Sequence, residues 1–369
     1  MKLGAKLWAQ CLGVILLMSA SATAAFGLQH NLRFVDQAGT PIADVVVRAT
    51  YTATPPAIGG GPIELKSDAD GRLTVSHPCA LASGSCCSLV SPVSYQVIGK
   101  LGYQFNGSGS VGCGLGSSDF TFIGTGQEYP KLAVVSAANF RAPLASQMIV
   151  AAFGLNLATT TEIAANIPLP TTLANRRVLF RNLDGVETAA PLLFVSPNQI
   201  NFLVPAQGVN RLPTIIVRDL NNQIVSVTFP TIELVAPGIF TANADGQGVP
   251  AAVIVRARAD GSQAYEPVAQ FDQTARRYVP VTLDLGVESD VIVLALFGTG
   301  WRTPPPATTV SVKIGGIECP VEYAGPQPTS EGLDQLNVRL PRALIGKGDV
   351  IVEVQFNSTK ANSVQLKIK

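Results

Sequence analysis

The stretch that decides the fold is Pro191-Leu-Leu-Phe-Val-Ser-Pro-Asn-Gln-Ile-Asn-Phe-Leu-Val-Pro205, because the chain carries a second copy of it. The copy starts 129 positions downstream as Pro320-Val-Glu-Tyr-Ala-Gly325. After an insertion it continues, at an offset of 136, as Gln335-Leu-Asn-Val-Arg-Leu-Pro341. An ordered series of matches at a near-constant offset is typical of a duplicated domain. We therefore predict the same strand–turn–strand unit around Phe194 and around Tyr323.

A third match lies upstream of each copy, where Ile149-Val-Ala-Ala-Phe-Gly154 is similar to Ile292-Val-Leu-Ala-Leu-Phe-Gly298. The 369 residues suffice for two or three domains of roughly 100–200 residues each. Only 14% of the residues are charged, and 34 glycines and 26 prolines punctuate short apolar runs that show almost no helical periodicity. Many short strands with regular turns indicate β-sandwiches. We predict an all-β fold of tandem β-sandwiches.

Residues 1–25 have the pattern of a secretory signal peptide. Lys2 and Lys6 precede the apolar run Leu12–Met18, and the small residues Ala22–Ala25 offer a cleavage site. The alternative is an uncleaved membrane anchor, but the apolar run is much shorter than the ~20 residues that a membrane span requires. We expect a mature chain without a transmembrane segment, exported to the periplasm, the cell surface or the extracellular space.

Cysteine usage agrees with export. Four cysteines lie close together after the signal: Cys79, Cys86, Cys87 and Cys113. In an exported domain such a group is typical of disulfide bonding, and four cysteines allow three pairings. A bond between the neighbours Cys86 and Cys87 would be strained. We therefore favour one of these two bonding to Cys79 and the other to Cys113.

The remaining thiol and the histidines argue against a metal site. Cys319 alternates in phase with Val321, which predicts a buried, inert thiol. The only histidines are His30 and His77, and no paired C-x-x-C occurs. Zinc binding is therefore disfavoured, and we predict no metal ligand.

The first domain, predicted over 26–126, alternates strands with Asp–Gly turns. The residues that carry its pattern over about 30–76 are Asp36, Gly39, Pro41, Ile42, Asp68, Asp70 and Gly71. This pattern resembles the carboxypeptidase-regulatory-like, transthyretin-like β-sandwich family, which implies a non-catalytic accessory sandwich with a cysteine-bearing loop. Asp68-Ala-Asp-Gly71 could also start a calcium loop, but the further acidic ligands are missing. A hairpin turn explains the same residues.

Residues 127–131 read as a linker, followed by domains predicted over 132–236 and 237–369, the last with an N-terminal extension. The motifs in these domains are Val134–Phe140, Phe153-Gly154, Leu192–Asn201, Val204-Pro205, Ala236–Phe240, Gly298–Trp301, Ile314–Gly316 and Gln335–Val338. Over about 131–369 they resemble the uncharacterised C-terminal module of secreted acidobacterial (Solibacter-type) proteins. The Ile-Gly-Gly hairpins also resemble IPT/TIG immunoglobulin-like domains. The resemblance implies two immunoglobulin-like sandwiches and an exported location, and it implies no chemistry.

Several sequence features resemble parts of binding or catalytic sites, but structural explanations fit them better. Gly107-Ser-Gly-Ser-Val-Gly112 matches a dinucleotide fingerprint, but the glycines and serines that follow would not open the required helix. Glu318 and Glu322 lie four apart, which predicts a shared solvated face of one strand rather than a glycosidase pair. No G-x-S-x-G occurs, and a net charge of +1 without a basic cluster excludes a nucleic-acid partner. We predict no catalytic residue and no cofactor.

Five residues are candidates for special roles. Asn201 and Asn337 occupy equivalent positions of the repeats, and we expect each side chain to hydrogen-bond a neighbouring loop backbone. Trp301, Tyr265 and Tyr278 are placed on loops by the sequence, where aromatic rings could stack on a sugar or contact a partner. The alternative for Trp301 is packing against Pro304–Pro306 or a domain interface, and this is the interpretation that we favour.

These observations point to a structural or binding function rather than to catalysis. We predict an exported, non-catalytic structural or interaction protein of the adhesion type, whose partner is a protein or a cell-surface glycan. The first alternative is a carbohydrate-binding protein that uses its loop aromatics. A weaker alternative is a hydrolase without a recognisable motif.

Overall fold

The computed structural model describes residues 28–50, 63–77, 93–100, 103–106, 109–111, 117–126 and 129–369, the last range without 183, 208, 210 and 303. The predicted signal segment and the four clustered cysteines lie outside the described residues. The described chain is all-β, as predicted, with one 3-10 turn at Arg342–Leu344. It divides into two compact units, which meet in the sequence between Gly126 and Gln127.

The first unit consists of two four-stranded sheets. Its strands are β1 (Leu28–Asp36), β2 (Val46–Thr50), β3 (Ile63–Lys66), β4 (Arg72–His77), β5 (Val93–Gly99), β6 (Tyr103–Asn106), β7 (Gly109–Val111) and β8 (Ser117–Gly126). One sheet has the order β4-β1-β8-β6 with β1 parallel to β8, and the other has the order β3-β2-β5-β7. Alternate residues of the strands form its core, in which Phe34 stacks on Phe122 at 5.2 Å.

Aspartate side chains fix the two turns of this unit that the sequence marks. The Asp36 carboxylate accepts hydrogen bonds from the backbone N–H groups of Ala38 and Thr40, both at 2.8 Å. Asp68 accepts an equivalent pair in the second turn. The backbone hydrogen bond from Thr40 lowers the pKa of Asp36. Backbone donors therefore occupy these carboxylates, as the turn interpretation predicts.

The second unit contains the remaining strands. Those up to residue 236 are β9 (Ala133–Ser136), β10 (Leu144–Ala145), β11 (Ile149–Phe153), β12 (Glu162–Ile163), β13 (Arg176–Arg181), β14 (Glu187–Ala189), β15 (Leu192–Val195), β16 (Gln199–Leu203), β17 (Thr214–Asp219), β18 (Ile224–Thr228) and β19 (Ile232–Glu233). They form a five-stranded sheet, β12-β15-β16-β11-β9, a four-stranded sheet, β14-β13-β17-β18, and the parallel pair β10-β19. We call residues 129–236 the first repeat.

We call residues 237–369 the second repeat. Its strands are β20 (Gly238–Ile239), β21 (Ala252–Ala257), β22 (Gln263–Pro267), β23 (Ala269–Asp272), β24 (Arg277–Pro280), β25 (Thr282–Leu283), β26 (Val291–Thr299), β27 (Val310–Ile314), β28 (Ile317–Cys319), β29 (Val321–Pro326), β30 (Asp334–Arg339), β31 (Gly348–Phe356), β32 (Thr359–Lys360) and β33 (Val364–Ile368). One sheet has the order β22-β21-β26-β30-β29, with β20 also on β26, and the other has the order β25-β33-β31-β27-β28, with β32 on β31. The hairpin β23-β24 stands apart from both sheets.

Each repeat encloses its own hydrophobic core. The core of the first repeat extends from Leu132 to Ala236, and that of the second is formed by residues from Ile239 to Ile368. The two cores therefore separate in the sequence at about residue 236, where the motif Ala236-Pro-Gly-Ile-Phe240 begins.

The structure confirms that both copies of the repeated stretch form the same unit. Antiparallel pairing aligns Phe194 with Asn201 in β15-β16 and Tyr323 with Asn337 in β29-β30. A register shift lies just before Phe194 and again just before Tyr323, so even the irregularity is duplicated. The neighbouring strands β11 and β26, which carry the third sequence match, pair with β16 and β30 on the other side.

The predicted linker differs from the structure. Val227 donates its N–H to the Pro130 carbonyl at 3.0 Å, and Leu132 donates to the Val227 carbonyl at 3.0 Å. Ser226 Oγ donates to the Pro130 carbonyl at 2.7 Å. Residues 130–132 therefore run along β18 as part of the second unit. Short polar segments around proline look like linkers in sequence because their partners lie almost 100 positions away.

A set of backbone and hydroxyl contacts joins the two repeats. Thr299 Oγ1 accepts a hydrogen bond from the Ile149 N–H at 2.9 Å and donates one to the Gly332 carbonyl at 2.9 Å. Ala236 donates its N–H to the Gly300 carbonyl at 2.9 Å. Gly300 has φ +95°, and a Cβ there would lie 2.1 Å from the Ala236 carbonyl oxygen. The insertion in the second copy, which carries Gly332, therefore contributes to this joint.

Candidate functional site

The duplicated asparagines lie in interior strands, β16 and β30, of equivalent sheets. Asn201 Oδ1 accepts a hydrogen bond from Gln199 Nε2 at 2.8 Å, and Asn337 Oδ1 accepts one from Gln335 Nε2, also at 2.8 Å. Both asparagines are half-buried. The sequence correctly predicts a fixed side-chain hydrogen bond, but the partner is the glutamine two residues earlier on the same face, not a loop backbone. The pairs are repeated framework contacts.

We expect Asn201→Ala and Asn337→Ala each to lower the free energy of unfolding by about 1 kcal/mol, the usual net value of one hydrogen bond. Gln199→Ala should cost a similar amount, and the double variant of Gln199 and Asn201 should cost less than the two single losses together. Chemical denaturation followed by circular dichroism measures all of these changes. Additive losses in the double variant would contradict the hydrogen bond.

Trp301 is packed rather than exposed, as in the favoured interpretation, but it lies in the core of the second repeat. Its side chain is 1% exposed, and its ring stacks on Phe356 with a centroid distance of 5.5 Å. The indole covers Gly298, where a Cβ would lie 2.0 Å from Trp301 Cη2. A sugar or partner therefore has no access to the indole, and Trp301 is removed from the candidate ligand contacts.

The loop that carries Trp301 is held by a buried carboxylate. The Trp301 N–H donates to Asp334 Oδ2 at 2.8 Å, and Arg302 Nη1 lies 3.6 Å from Asp334 Oδ1. Asp334 is fully buried, and this burial raises its pKa to about 7. A strongly raised carboxyl pKa often marks an active site. Here the carboxyl group is enclosed and holds the Trp301 loop through a hydrogen bond. The sequence analysis did not identify Asp334 because the insertion around it contains no recognisable motif.

Two exposed tyrosines lie in the chain segment between β21 and β25. Tyr265 is 70% exposed on β22, and Tyr278 is 42% exposed on β24. The prediction that they lie on loops is wrong, since both belong to strands. Tyr278 pairs across the hairpin with Phe271, which is 46% exposed, and the two rings meet edge to face at 5.4 Å. Phe271 was missed, although Phe-Asp and Arg-Tyr-Val around a polar turn are typical of hairpin strands.

The hairpin is attached rigidly to the body of the second repeat. Asn243 donates its Nδ2–H to the Tyr278 carbonyl at 3.0 Å and accepts from the Tyr278 N–H at 2.8 Å. Val268, at the base of the hairpin, is buried in the core and accepts a hydrogen bond from the Val281 N–H at 2.9 Å. Asp272 closes the tip by accepting from the Thr274 N–H at 2.8 Å. The Phe271–Tyr278 pair is therefore displayed on a fixed support.

A cluster of charged side chains surrounds Arg256 in the second repeat. Its guanidinium bonds Glu266 at 2.5 Å and Asp290 at 3.0 Å and is nearly buried. The hydrogen bond to Glu266 and then that to Asp290 raise the pKa of Arg256, so it stays charged. A third donor reaches the Asp284 carbonyl at 2.6 Å. The two carboxylates share one cation, an arrangement that fixes the position of the strands and does not transfer protons.

The glutamates flanking Pro320 do not share a face. β28, with Glu318, pairs with β27, whereas β29, with Glu322, pairs with β30 in the opposite sheet. Each glutamate has its own cation, Lys313 at 3.9 Å and Arg339 at 2.6 Å. The prediction of one continuous strand is wrong because the proline, which lacks an N–H, ends the first strand and the chain crosses to the other sheet.

Cys319 is a buried free thiol, as predicted. Burial raises its pKa, so the thiol stays protonated at neutral pH. Within the described residues, no group of three or more His, Cys, Asp and Glu side chains is arranged to hold a metal ion. In the same part of the chain, no helix has the length and apolar character needed to cross a bilayer.

Comparisons with known proteins do not assign this chain to a family. A scan against protein-family models finds no match, and a search of curated proteins finds no significantly similar sequence. The resemblances drawn from the sequence motifs stay predictions.

Proposed function

We propose that this protein is an exported, non-catalytic interaction protein, which binds its partner through the aromatic hairpin Ala269–Pro280 of the second repeat. The observation that carries the proposal is the Phe271–Tyr278 pair, two large rings displayed on a hairpin outside both sheets. Aromatic rings on a rigid support provide contact area at a low cost in conformational entropy.

The chemistry-bearing residues of the second unit support the non-catalytic part of the proposal. Asp334 fastens a loop, Arg256 joins two carboxylates, and Trp301 fills the core. An active site needs such groups to converge on a space that a substrate can enter. The proposal of export relies on the signal-like pattern of residues 1–25. The proposal of immunoglobulin-like domains relies on the two separate cores and the motif resemblance.

Carbohydrate binding is the second candidate, favoured by the exposure of Tyr265 and Tyr278. Tyrosine faces and hydroxyl groups suit sugar rings, which present both apolar faces and hydroxyls. The two rings of the hairpin pair meet at 76°, so they do not form one flat platform for stacking. A glycan array would separate this candidate from a protein partner.

Binding should depend on the hairpin. We expect the variant with Phe271→Ser and Tyr278→Ser to lose at least about tenfold in affinity for the protein partner of the wild type, since central aromatic contacts dominate interfaces. Leu220→Ser, which removes an exposed apolar side chain from the first repeat, is the matched control and should bind as wild type. Equal binding by the hairpin variant would exclude this surface.

The non-catalytic part has its own test. Purified mature protein is incubated with a panel of chromogenic esters and glycosides, and we expect no turnover above buffer. Hydrolysis that scales with protein concentration and persists through successive purification steps would overturn this part and favour the hydrolase alternative.

A further inference from the structure

A cleft of about 60 Å³ lies along the seam between the two repeats. Three backbone segments form it: the turn 136–143 of the first repeat, the junction 236–237, and strand β32. Pockets at such interfaces are frequent ligand sites, but this volume is well below the roughly 300–1,000 Å³ of sites that enclose a whole ligand. The cleft therefore has room for one small group, not for a large cofactor.

The charges around the cleft have one sign. Arg141 and Lys360 line it, and none of its nine lining residues is acidic. Neither cation forms an ion pair with a described residue, whereas most other arginines of the second unit bond a carboxylate or a carbonyl. Two unneutralised cations facing one space favour an oxyanion, and the arginine fork can bind a carboxylate or sulfate through two parallel bonds.

A buried hydroxyl adds a third donor. Ser136, which lines the cleft, is 1% exposed, and its Oγ accepts a hydrogen bond from the Ala138 N–H at 3.2 Å. Among the described residues no acceptor receives its O–H. A hydroxyl has both donor and acceptor capacity, so Ser136 retains a proton to donate to a ligand oxygen.

The cleft is held in shape by hydrogen bonds that do not use the two cationic groups. Asn139 donates its Nδ2–H to the Pro237 carbonyl at 3.3 Å, across the seam, and its Oδ1 accepts from the Arg141 N–H at 3.1 Å. On the opposite wall, Thr359 and Lys360 are paired to β31. The backbone at Arg141 and Lys360 is therefore fixed before a ligand binds, which reduces the entropy cost of binding.

We propose that this cleft is an oxyanion-binding site that takes the carboxylate or sulfate group of an acidic sugar residue, with Arg141, Lys360 and the Ser136 hydroxyl as donors. The neutral Asn139 and Thr359 side chains beside the cations suit the hydroxyl groups of such a ligand. The inference goes beyond the proposed function, because it adds a second binding site, for an anionic glycan, away from the aromatic hairpin.

Saturation-transfer NMR on the full mature chain tests the site with glucuronate, glucose 6-sulfate and neutral glucose as probes. We expect at least one charged sugar to bind and glucose not to bind, and the charged sugar that binds identifies the preferred oxyanion. The double variant Arg141→Gln with Lys360→Gln should weaken that binding at least about tenfold, as expected for lost charge-assisted hydrogen bonds. Added salt should weaken it as well.

The matched control is Arg258→Gln with Lys367→Gln, which removes the same charge from exposed positions of the second repeat outside the cleft. It should bind as wild type, and circular dichroism should show all variants folded. The site is overturned if neither charged sugar binds, if glucose binds equally well, or if the cleft variant binds as wild type. Failure of the proposed function would appear elsewhere, as hydrolysis or as binding of the protein partner that is indifferent to Phe271 and Tyr278.

Discussion

Replacing Trp301 by alanine is expected to lower the free energy of unfolding of the second repeat by about 3–5 kcal/mol, the range for truncating a large buried aromatic side chain. The indole is 1% exposed, stacks on Phe356 and covers Gly298. Its removal leaves a cavity that these neighbours have little freedom to fill, because Phe356 is itself fully buried in β31. The loss is therefore expected at the upper end for single substitutions.

Far-UV circular dichroism during urea titration is the suitable measurement, because the substitution removes the fluorophore. Tyr265→Ala serves as the control, since Tyr265 is 70% exposed and surface changes cost less than about 0.5 kcal/mol. In a mature chain that begins after residue 25, Trp301 is the only tryptophan, so acrylamide quenching of the wild type reports its burial directly. Rapid quenching, or a variant as stable as the control, would contradict the enclosed position.

The duplicated domain was predictable from sequence because residues that need the same neighbours in both copies keep a nearly constant spacing along the chain. Phe194 and Tyr323 occupy matching registers, and even the register shift before each is the same. The Asp36 and Asp68 turns were predictable because their hydrogen bonds close within four residues. Local chemistry and duplicated spacing thus account for most of the correct expectations.

The site was less predictable because exposure is a property of the folded chain. Trp301 and Tyr278 both follow Gly- or Arg-rich sequence, yet one ring is enclosed and the other displayed. Cys319 is buried as expected. The expectation assumed one strand that continues through Pro320, whereas β28 ends at Cys319 and a new strand begins at Val321. The oxyanion cleft combines Arg141 and Lys360, more than 200 positions apart in sequence, and no periodicity links such residues.

The stability of the second repeat is expected to fall as pH rises from about 4 to about 7, because the pKa of Asp334 is raised from 3.8 to about 7 by burial. A folded-state pKa above the unfolded value means that the folded chain holds this proton more tightly. The contribution is therefore fully present below about pH 4 and is lost as pH passes about 7. Its size is at most roughly 4 kcal/mol, since one pKa unit corresponds to about 1.4 kcal/mol.

Asp334→Asn isolates this effect. An amide is neutral at every pH but keeps an oxygen that accepts the Trp301 N–H, so the variant should lack the decline between pH 4 and pH 7. Asp36, Asp260 and Asp284 have lowered pKa values, and their contributions are lost instead as pH falls below about 4. These contributions are common to both proteins and cancel in the difference between the two stability curves.

Urea titrations at several pH values between 4 and 8 measure that difference. We expect the stability of Asp334→Asn relative to wild type to increase with pH and to level off above about pH 7. Parallel curves would show that the pKa of Asp334 is the same in the folded and the unfolded chain. Arg302, 3.6 Å away, and the backbone donors would then offset the effect of burial. Asp334→Ala should be less stable than Asp334→Asn at every pH by roughly 1–3 kcal/mol, because it leaves the buried Trp301 N–H without an acceptor. A smaller gap would mean that the carboxyl group does not hold the tryptophan loop.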